Sequence, residues 1–147
     1  MPETPETGGS IRERLRAVYS ETAVDHILHP RNEGALPHPD GFAAVRSGCG
    51  ETVKVWLKLA QGRVAQAGFW TDGCAATVAC GSMATELAQG RRVAEALSID
   101  AQTLADALGD LPGGNIHCAE LAAQALRAAV QDGLAVSREP WKKLYRK

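Results

Sequence analysis

Three of the four cysteines occupy the same kind of local position, and that is where the chemistry of this sequence is concentrated. Cys49 stands between Gly48 and Gly50, where two glycines allow the backbone to turn sharply. Cys74 follows Gly73, at the point where a strand pattern gives way to a helix pattern. Cys118 follows His117 at the opening of the last apolar-striped segment. A thiol at a helix start lies beside N–H groups without intrahelical partners, and these and the helix dipole favour thiolate, the form that binds metal and attacks sulfur. The plainer reading of any single cysteine is a small buried residue. Glu51 lies two residues beyond Cys49, so convergence of these loops would offer three thiolates plus the His117 imidazole or the Glu51 carboxylate. That donor set suits Zn²⁺ in a four-coordinate site or the irons of a small iron–sulfur cluster. No Cys-x-x-Cys knuckle is present, so the expected site is open and assembled from separate loops, suited to a metal or cluster that is handed on.

Cys80 does not join this set. Six residues after Cys74, it is rotated about 120° around the helix onto the stripe of Ala76, Ala84 and Leu87, and reads as core. His26 and His29 are three apart and could share a helix face as ligands, but such histidines are more often bonded within the protein.

The elements that must position these residues read as follows. Ser10 and Glu13 have the form of a capping box, and Leu15, Val18, Tyr19, Ala23, His26 and Ile27 continue at near-helical intervals until Pro30. Positions 31–41, with Pro37, Pro39, Asn32, Gly34 and Gly41, read as a long connection. Phe42 to Arg46 is a short strand. In Thr52 to Leu59, Val53, Val55, Leu57 and Leu59 alternate with Thr52, Lys54, Trp56 and Lys58; Gln61-Gly62 turns the chain and Val64 to Thr71 returns. A helix from Cys74 ends at Gly90, followed by a short piece from Val93 to Leu97 and a segment capped by Asp100 that ends at Gly109. The last helix runs from Ile116 to near Gly133. The expected elements are a meander of about three antiparallel strands followed by helices.

The chain has 147 residues, 45% apolar and 22% charged, which suits one globular core. A formal net charge of −1 gives no argument for nucleic acid or an acidic membrane, and no apolar run approaches the roughly 20 residues of a membrane helix. We read residues 1–9 as a disordered lead, 10–136 as a single domain and 137–147 as a basic extension whose Trp141, Leu144 and Tyr145 dock as an extra turn or two. With no export signal, the expected compartment is a reducing cytoplasm, where thiols serve metal or sulfur chemistry rather than a disulfide framework.

Tyr19-Ser20-Glu21, Asp25-His26, Pro30-Arg31-Asn32 and Gly34 resemble the N-terminal signature of the IscU/NifU-type iron–sulfur cluster assembly scaffolds. Cys49-Gly50-Glu51, Gly73-Cys74, Ala84-Thr85-Glu86 and His117-Cys118 match that family's further blocks in order, so the similarity spans about Tyr19 to Val130. The resemblance implies an α+β fold, a small antiparallel sheet of about three strands with helices packed on one face, and a carrier rather than a turnover enzyme. A cysteine desulfurase passes persulfide sulfur to a scaffold cysteine, iron is added, and a transient [2Fe–2S] cluster is assembled and passed to recipient apo iron–sulfur proteins. By position, Cys49, Cys74 and Cys118 take the ligand and sulfur-acceptor roles, His117 the auxiliary ligand position, and Glu51 the position usually held by aspartate. The family's Leu-Pro-Pro-Val-Lys segment, read by an Hsp70-type chaperone, appears here as Leu111-Pro112-Gly113-Gly114-Asn115; the missing lysine puts that partnership in doubt. Two alternatives stand beside this reading: a zinc-holding SufU-like sulfurtransferase, disfavoured by the short Gly90 to Cys118 interval, and a structural zinc module that binds another protein. Zn²⁺ in the isolated protein is compatible with all three, and a homodimer with the first.

Overall fold

The computed structural model describes residues 11–138. Its frame is an antiparallel meander of three strands, β1 (Gly41–Arg46), β2 (Thr52–Ala60) and β3 (Arg63–Thr71), in the order β1-β2-β3. The alternation of β2 puts Val53, Val55 and Leu57 into the core. On the other face Trp56 meets Phe42 at 5.4 Å between ring centroids, and the Lys54 ammonium lies 5.1 Å over the Trp70 ring. The β2–β3 turn has φ 56° at Gln61 and 77° at Gly62, the two positive values that a two-residue hairpin turn of matching twist requires. In register, Thr52 faces Arg46 and Val53 faces Thr71, so the 47–51 turn and the exit from β3 lie at one end of the sheet.

Helices cover the inner face. A helical stretch α1 (11–16) is followed by α2 (Glu21–Leu28), α3 (Ala75–Ala88), α4 (Val93–Leu97), α5 (Ala101–Ala107), a 3-10 turn (Gly113–Asn115) and α6 (Ile116–Arg138). α3 is buried on nearly every side, its Gly81 lying so close to Phe69 that an added Cβ would stand 2.6 Å from the ring. α6 lies along β1 and β2. Phe69, Leu57, Leu104, Leu108, Leu126 and Val24 are among the largest side chains of the single core joining sheet and helices. Among the described residues no helix is long and apolar enough to cross a membrane.

The structure departs from the sequence reading in three places. The first helical pattern is two helices, because Ser20 caps α2 by accepting the Ala23 N–H at 3.0 Å and donates its own hydroxyl to the Leu108 carbonyl. The 31–41 connection is partly a strap on the edge of β3: Phe69 N donates to Asn32 O at 3.0 Å and Gly34 N to Phe69 O at 2.8 Å. α6 does not stop near Gly133 but continues to Arg138, and Gly133 serves instead as a contact point. It packs against Leu59 and Gly41, and a Cβ on Gly41 would lie 2.2 Å from the Ala129 carbonyl oxygen. Ser10, the 1–9 lead and most of the 137–147 extension, including Trp141, Leu144 and Tyr145, lie outside the described residues.

α2 is fastened to α3 by a polar chain. Arg31 N donates to Ser82 Oγ at 2.8 Å, so the Ser82 hydroxyl is left to donate to His26 Nδ1 at 2.6 Å. His26 then carries its proton on Nε2, facing Glu86 Oε1 at 3.3 Å. Burial, and then the Arg31 charge, lower the pKa of this imidazole against the pull of Glu86 and Asp25. The unfolded chain takes up this proton near pH 6.5 while the folded protein resists it. The stability is therefore present above that pH and is lost as pH falls toward the lowered folded value. His26→Gln should flatten the decline in urea midpoint between about pH 7 and 5; an unchanged slope would place the acid sensitivity elsewhere. In the same assay Gly41→Ala should destabilise by about 1–3 kcal/mol through overpacking, whereas Gly113→Ala, where an added Cβ meets nothing within 4 Å, should stay within about 0.5 kcal/mol.

Candidate metal centre

The rim at this end of the sheet is built from short side chains that bond backbone. Ser47 Oγ accepts from the N–H groups of Cys49 and Glu51, each at 3.2 Å, Ser47 N donates to Glu51 O at 2.7 Å, and Gly50 takes φ 97°. Across the sheet end Asp72 Oδ1 accepts from Thr52 N at 2.8 Å, Thr71 Oγ1 donates to Thr52 O at 2.7 Å and accepts from Gly73 N at 3.0 Å. Gly73 must lack a side chain: a Cβ there would lie 2.8 Å from Glu51 Oε1 and from Thr77 Oγ1. Cys74 follows as the N-cap residue of α3, and His117 and Cys118 lie in the first turn of α6.

Four of the five candidate ligands converge. Donor atoms of Glu51, His117 and Cys118 all lie within 4.8 Å of one another, Cys118 Sγ is 3.6 Å from His117 Nε2, and Cys74 Sγ is 4.0 Å from Cys118 Sγ. Corners of a tetrahedron around a zinc-sized ion, with bonds of about 2.0–2.3 Å, stand about 3.3–3.8 Å apart; the Cys118–His117 and Cys74–Cys118 contacts are close to that spacing, and Glu51 lies within 4.8 Å of His117 and Cys118. Cys49 lies on the same turn as Glu51 but is exposed and stands outside this set. Cys80 is fully buried in the core beneath, as its helical phase implies. His26 is engaged with Ser82 and Glu86, and His29 ends α2.

The thiols differ in electrostatics. Burial would raise the Cys74 thiol, but the Thr77 hydroxyl and the N–H groups of Thr77 and Ala76 at the start of α3 outweigh it and hold its pKa down. The sulfur makes no strict capping hydrogen bond; the lowering comes from its position beside these donors. Cys118 is pushed up to about 11, first by burial and, despite relief from Thr77, by the neighbouring Cys74 and Glu51. Burial and the same two thiols raise Cys80 to about 12. Of the three, Cys74 is the thiol whose ionisation the surroundings favour.

Two residues at the centre carry no sequence signal as site residues. Thr77 is fully buried; it donates to Glu51 Oε1 at 2.8 Å and lies 3.6 Å from Cys74 Sγ. Its place one helical turn after Cys74 was the available clue. The phenol of Tyr19, raised by burial and then by Cys74 and Cys118, and bonded to Asn115, lies beside the thiols as well.

A three-stranded meander backed by helices, with thiols, an imidazole and a carboxylate at one rim, defines a small α+β domain with a candidate metal site. Residues 18–137 match the NifU-like N terminal domain, and the chain belongs to that family. It is 42% identical over 116 residues to an Archaeoglobus fulgidus protein named iron-sulfur cluster assembly scaffold protein IscU 1, covering 78% of this chain and 76% of that one. IscU of Azotobacter vinelandii is 39% identical over 119 residues, covering 78% of this chain and 92% of the relative, and IscU of Escherichia coli strain K12 is 36% identical over the same coverage. The N-terminal part of a nitrogen-fixing NifU-like protein from Brucella abortus shares the fold with a TM-score of 0.63 at 20% identity, over 80% of this chain and 95% of that one. A putative SUF-system scaffold from Fervidobacterium islandicum gives the same score at 19% identity, over 78% of this chain and 97% of that one.

Alkylation checks the ordering of the thiols. In the metal-free protein near pH 7.5, Cys74 should label with iodoacetamide well before Cys118, and Cys80 only after denaturation, as read by mass spectrometry of the peptides. Labelling of Cys80 or Cys118 as fast as Cys74 would contradict it.

Proposed function

We propose that this chain is an iron–sulfur cluster assembly scaffold of the IscU type, on which a transient [2Fe–2S] cluster is built from iron and sulfur and passed to recipient apo-proteins. The observation that carries the reading is the Cys74–Cys118 pair, 4.0 Å apart beside His117 and Glu51 at an open rim. The donor chemistry fits the cargo: thiolates suit iron in a cluster, while the imidazole and carboxylate bind less strongly than a fourth thiolate and let the cluster leave. Cys49, on the exposed turn next to Glu51, supplies the third thiolate.

Sulfur arrives from a cysteine desulfurase. A scaffold thiolate attacks the outer sulfur of the enzyme's persulfide, a new S–S bond forms, and the desulfurase cysteine leaves as a thiolate. Reduction of each transferred sulfur to sulfide takes two electrons from an external donor. The lowered pKa of Cys74 supports thiolate attack at neutral pH. Reduced thiols of this kind suit a cytoplasmic setting.

A zinc-holding sulfurtransferase is the second reading, favoured by the contacts of Cys118 with His117 at 3.6 Å and with Cys74 at 4.0 Å, which approach the spacing around one tetrahedral ion. Anaerobic reconstitution with ferrous iron, cysteine and a desulfurase separates the two. The scaffold reading expects sulfide-to-iron charge-transfer absorption that apo-ferredoxin then removes. Alanine at Cys49, Cys74 or Cys118 should abolish most of that signal, while Cys80→Ala leaves it nearly intact. Tightly bound zinc, faster desulfurase turnover and no cluster would reverse the assignment. The continuous core supports a fold that does not need the metal, so chelation should leave the helical circular dichroism in place.

A further inference from the structure

Thr77 has no surface exposure, yet its hydroxyl faces the rim rather than the core. Its shortest contact is with Glu51 Oε1, to which it donates at 2.8 Å, against 3.6 Å to Cys74 Sγ. The missing Cβ at Gly73 leaves the space in which carboxylate and hydroxyl meet, since an added carbon would lie 2.8 Å from each. Thr77 O–H is not spent on its own helix, as Thr85 O–H is on the carbonyls of Gly81 and Ser82. Glu51 starts from the opposite loop, so a long flexible side chain is bound at its tip to the first turn of α3, beside Cys74.

We propose that Thr77 is a positioning residue for the metal site: by engaging Glu51 Oε1 it fixes the carboxylate so that its other oxygen is presented to the ion bound by Cys74, Cys118 and His117. The inference rests on the reading of Glu51 as a ligand. A free glutamate would have to immobilise its rotatable bonds on binding, and the Thr77 bond has already removed much of that freedom. Outer hydrogen bonds of this kind orient ligating carboxylates and typically contribute 10–100-fold to metal affinity. Thr77 makes Glu51 a dependable fourth ligand and lengthens the time an ion or cluster is held.

Cobalt(II) tests this independently of cluster assembly, because its visible bands report ligand number and type. Thr77→Val, close in shape but without the donor, should weaken Co²⁺ affinity about 10-fold or more and shift the d–d bands as the carboxylate disengages. Thr77→Ser, which keeps the hydroxyl, should retain both affinity and spectrum. If Thr77 acts through Glu51, the Thr77→Val and Glu51→Gln effects should be strongly non-additive in the double variant. Holdup of a reconstituted cluster against an apo-ferredoxin should shorten in Thr77→Val. Equal losses in Thr77→Ser and Thr77→Val would mean a packing role and overturn the proposal, as would additive effects of the two substitutions. An unchanged Co²⁺ spectrum in a folded Thr77→Val protein would overturn it while leaving the scaffold reading untouched. A wild-type protein that binds no Co²⁺ would overturn both.

Discussion

Two sulfur atoms held 4.0 Å apart, one at the start of α3 and one in the first turn of α6, set the terms for the rest of the structure. The distance is roughly twice a disulfide bond, so the thiols remain separate, yet it is short enough for one ion to join them. Two thiolates so close repel each other, and the fold meets this by making the sites unequal. The donors opening α3 favour ionisation of Cys74, while burial disfavours it at Cys118. On the scaffold reading, a cation bound between them would remove the conflict by displacing the Cys118 proton, which would couple metal capture to proton release.

Holding two helix starts in that relation is the work of the frame beneath. α3 is fixed against β3 where Gly81 admits the Phe69 ring, and α6 against β1 where Gly41 and Gly133 bring backbone against backbone. Both contacts lie in the continuous core, away from the donors. The rim itself is tied by a few bonds from Ser47, Thr71 and Asp72 to neighbouring backbone. Open loops tied by few bonds belong to the low-stability end of a structure. On the scaffold reading, a site of this kind would change its ligands at less cost than one built inside the core.

Much of this was legible in the sequence, for identifiable reasons. The β2 alternation had a single solution, Gln61-Gly62 specified its own turn, and Asp100 signalled the start of α5. What stayed hidden were contacts between distant residues that use ordinary side chains. Ser20 lies inside an apparently continuous helical pattern, and its cap is reinforced from Leu108. Gly133 has the look of a helix end because nothing local reveals that Gly41 needs its empty side. Cys49, Cys74, Glu51, His117 and Cys118 stood out by residue type, whereas Thr77 and Tyr19 did not, since a hydroxyl gains meaning only from the partner it meets. The strap at 32–34 was invisible for the same reason: its bonds are backbone to backbone.

The position of Cys49 ties the zinc and cluster readings to one loop. Glu51, His117 and Cys118 already gather within 4.8 Å of one another, with Cys74 Sγ 4.0 Å from Cys118 Sγ. Two irons with bridging sulfides occupy a wider volume and favour more thiolate. The added sulfur has to come from outside the converged set, and Cys49 lies on the turn that also carries Glu51. Gly48 and Gly50 flank it with little to oppose motion: an added Cβ would meet nothing at Gly48, and only the tip of Arg46 at 3.6 Å at Gly50. On the scaffold reading, an inward movement of this turn converts a one-ion site into a cluster site, and the reverse movement withdraws a ligand when the cargo departs. On that reading the two states differ by the thiolate of Cys49, which the 47–51 turn brings in or withdraws.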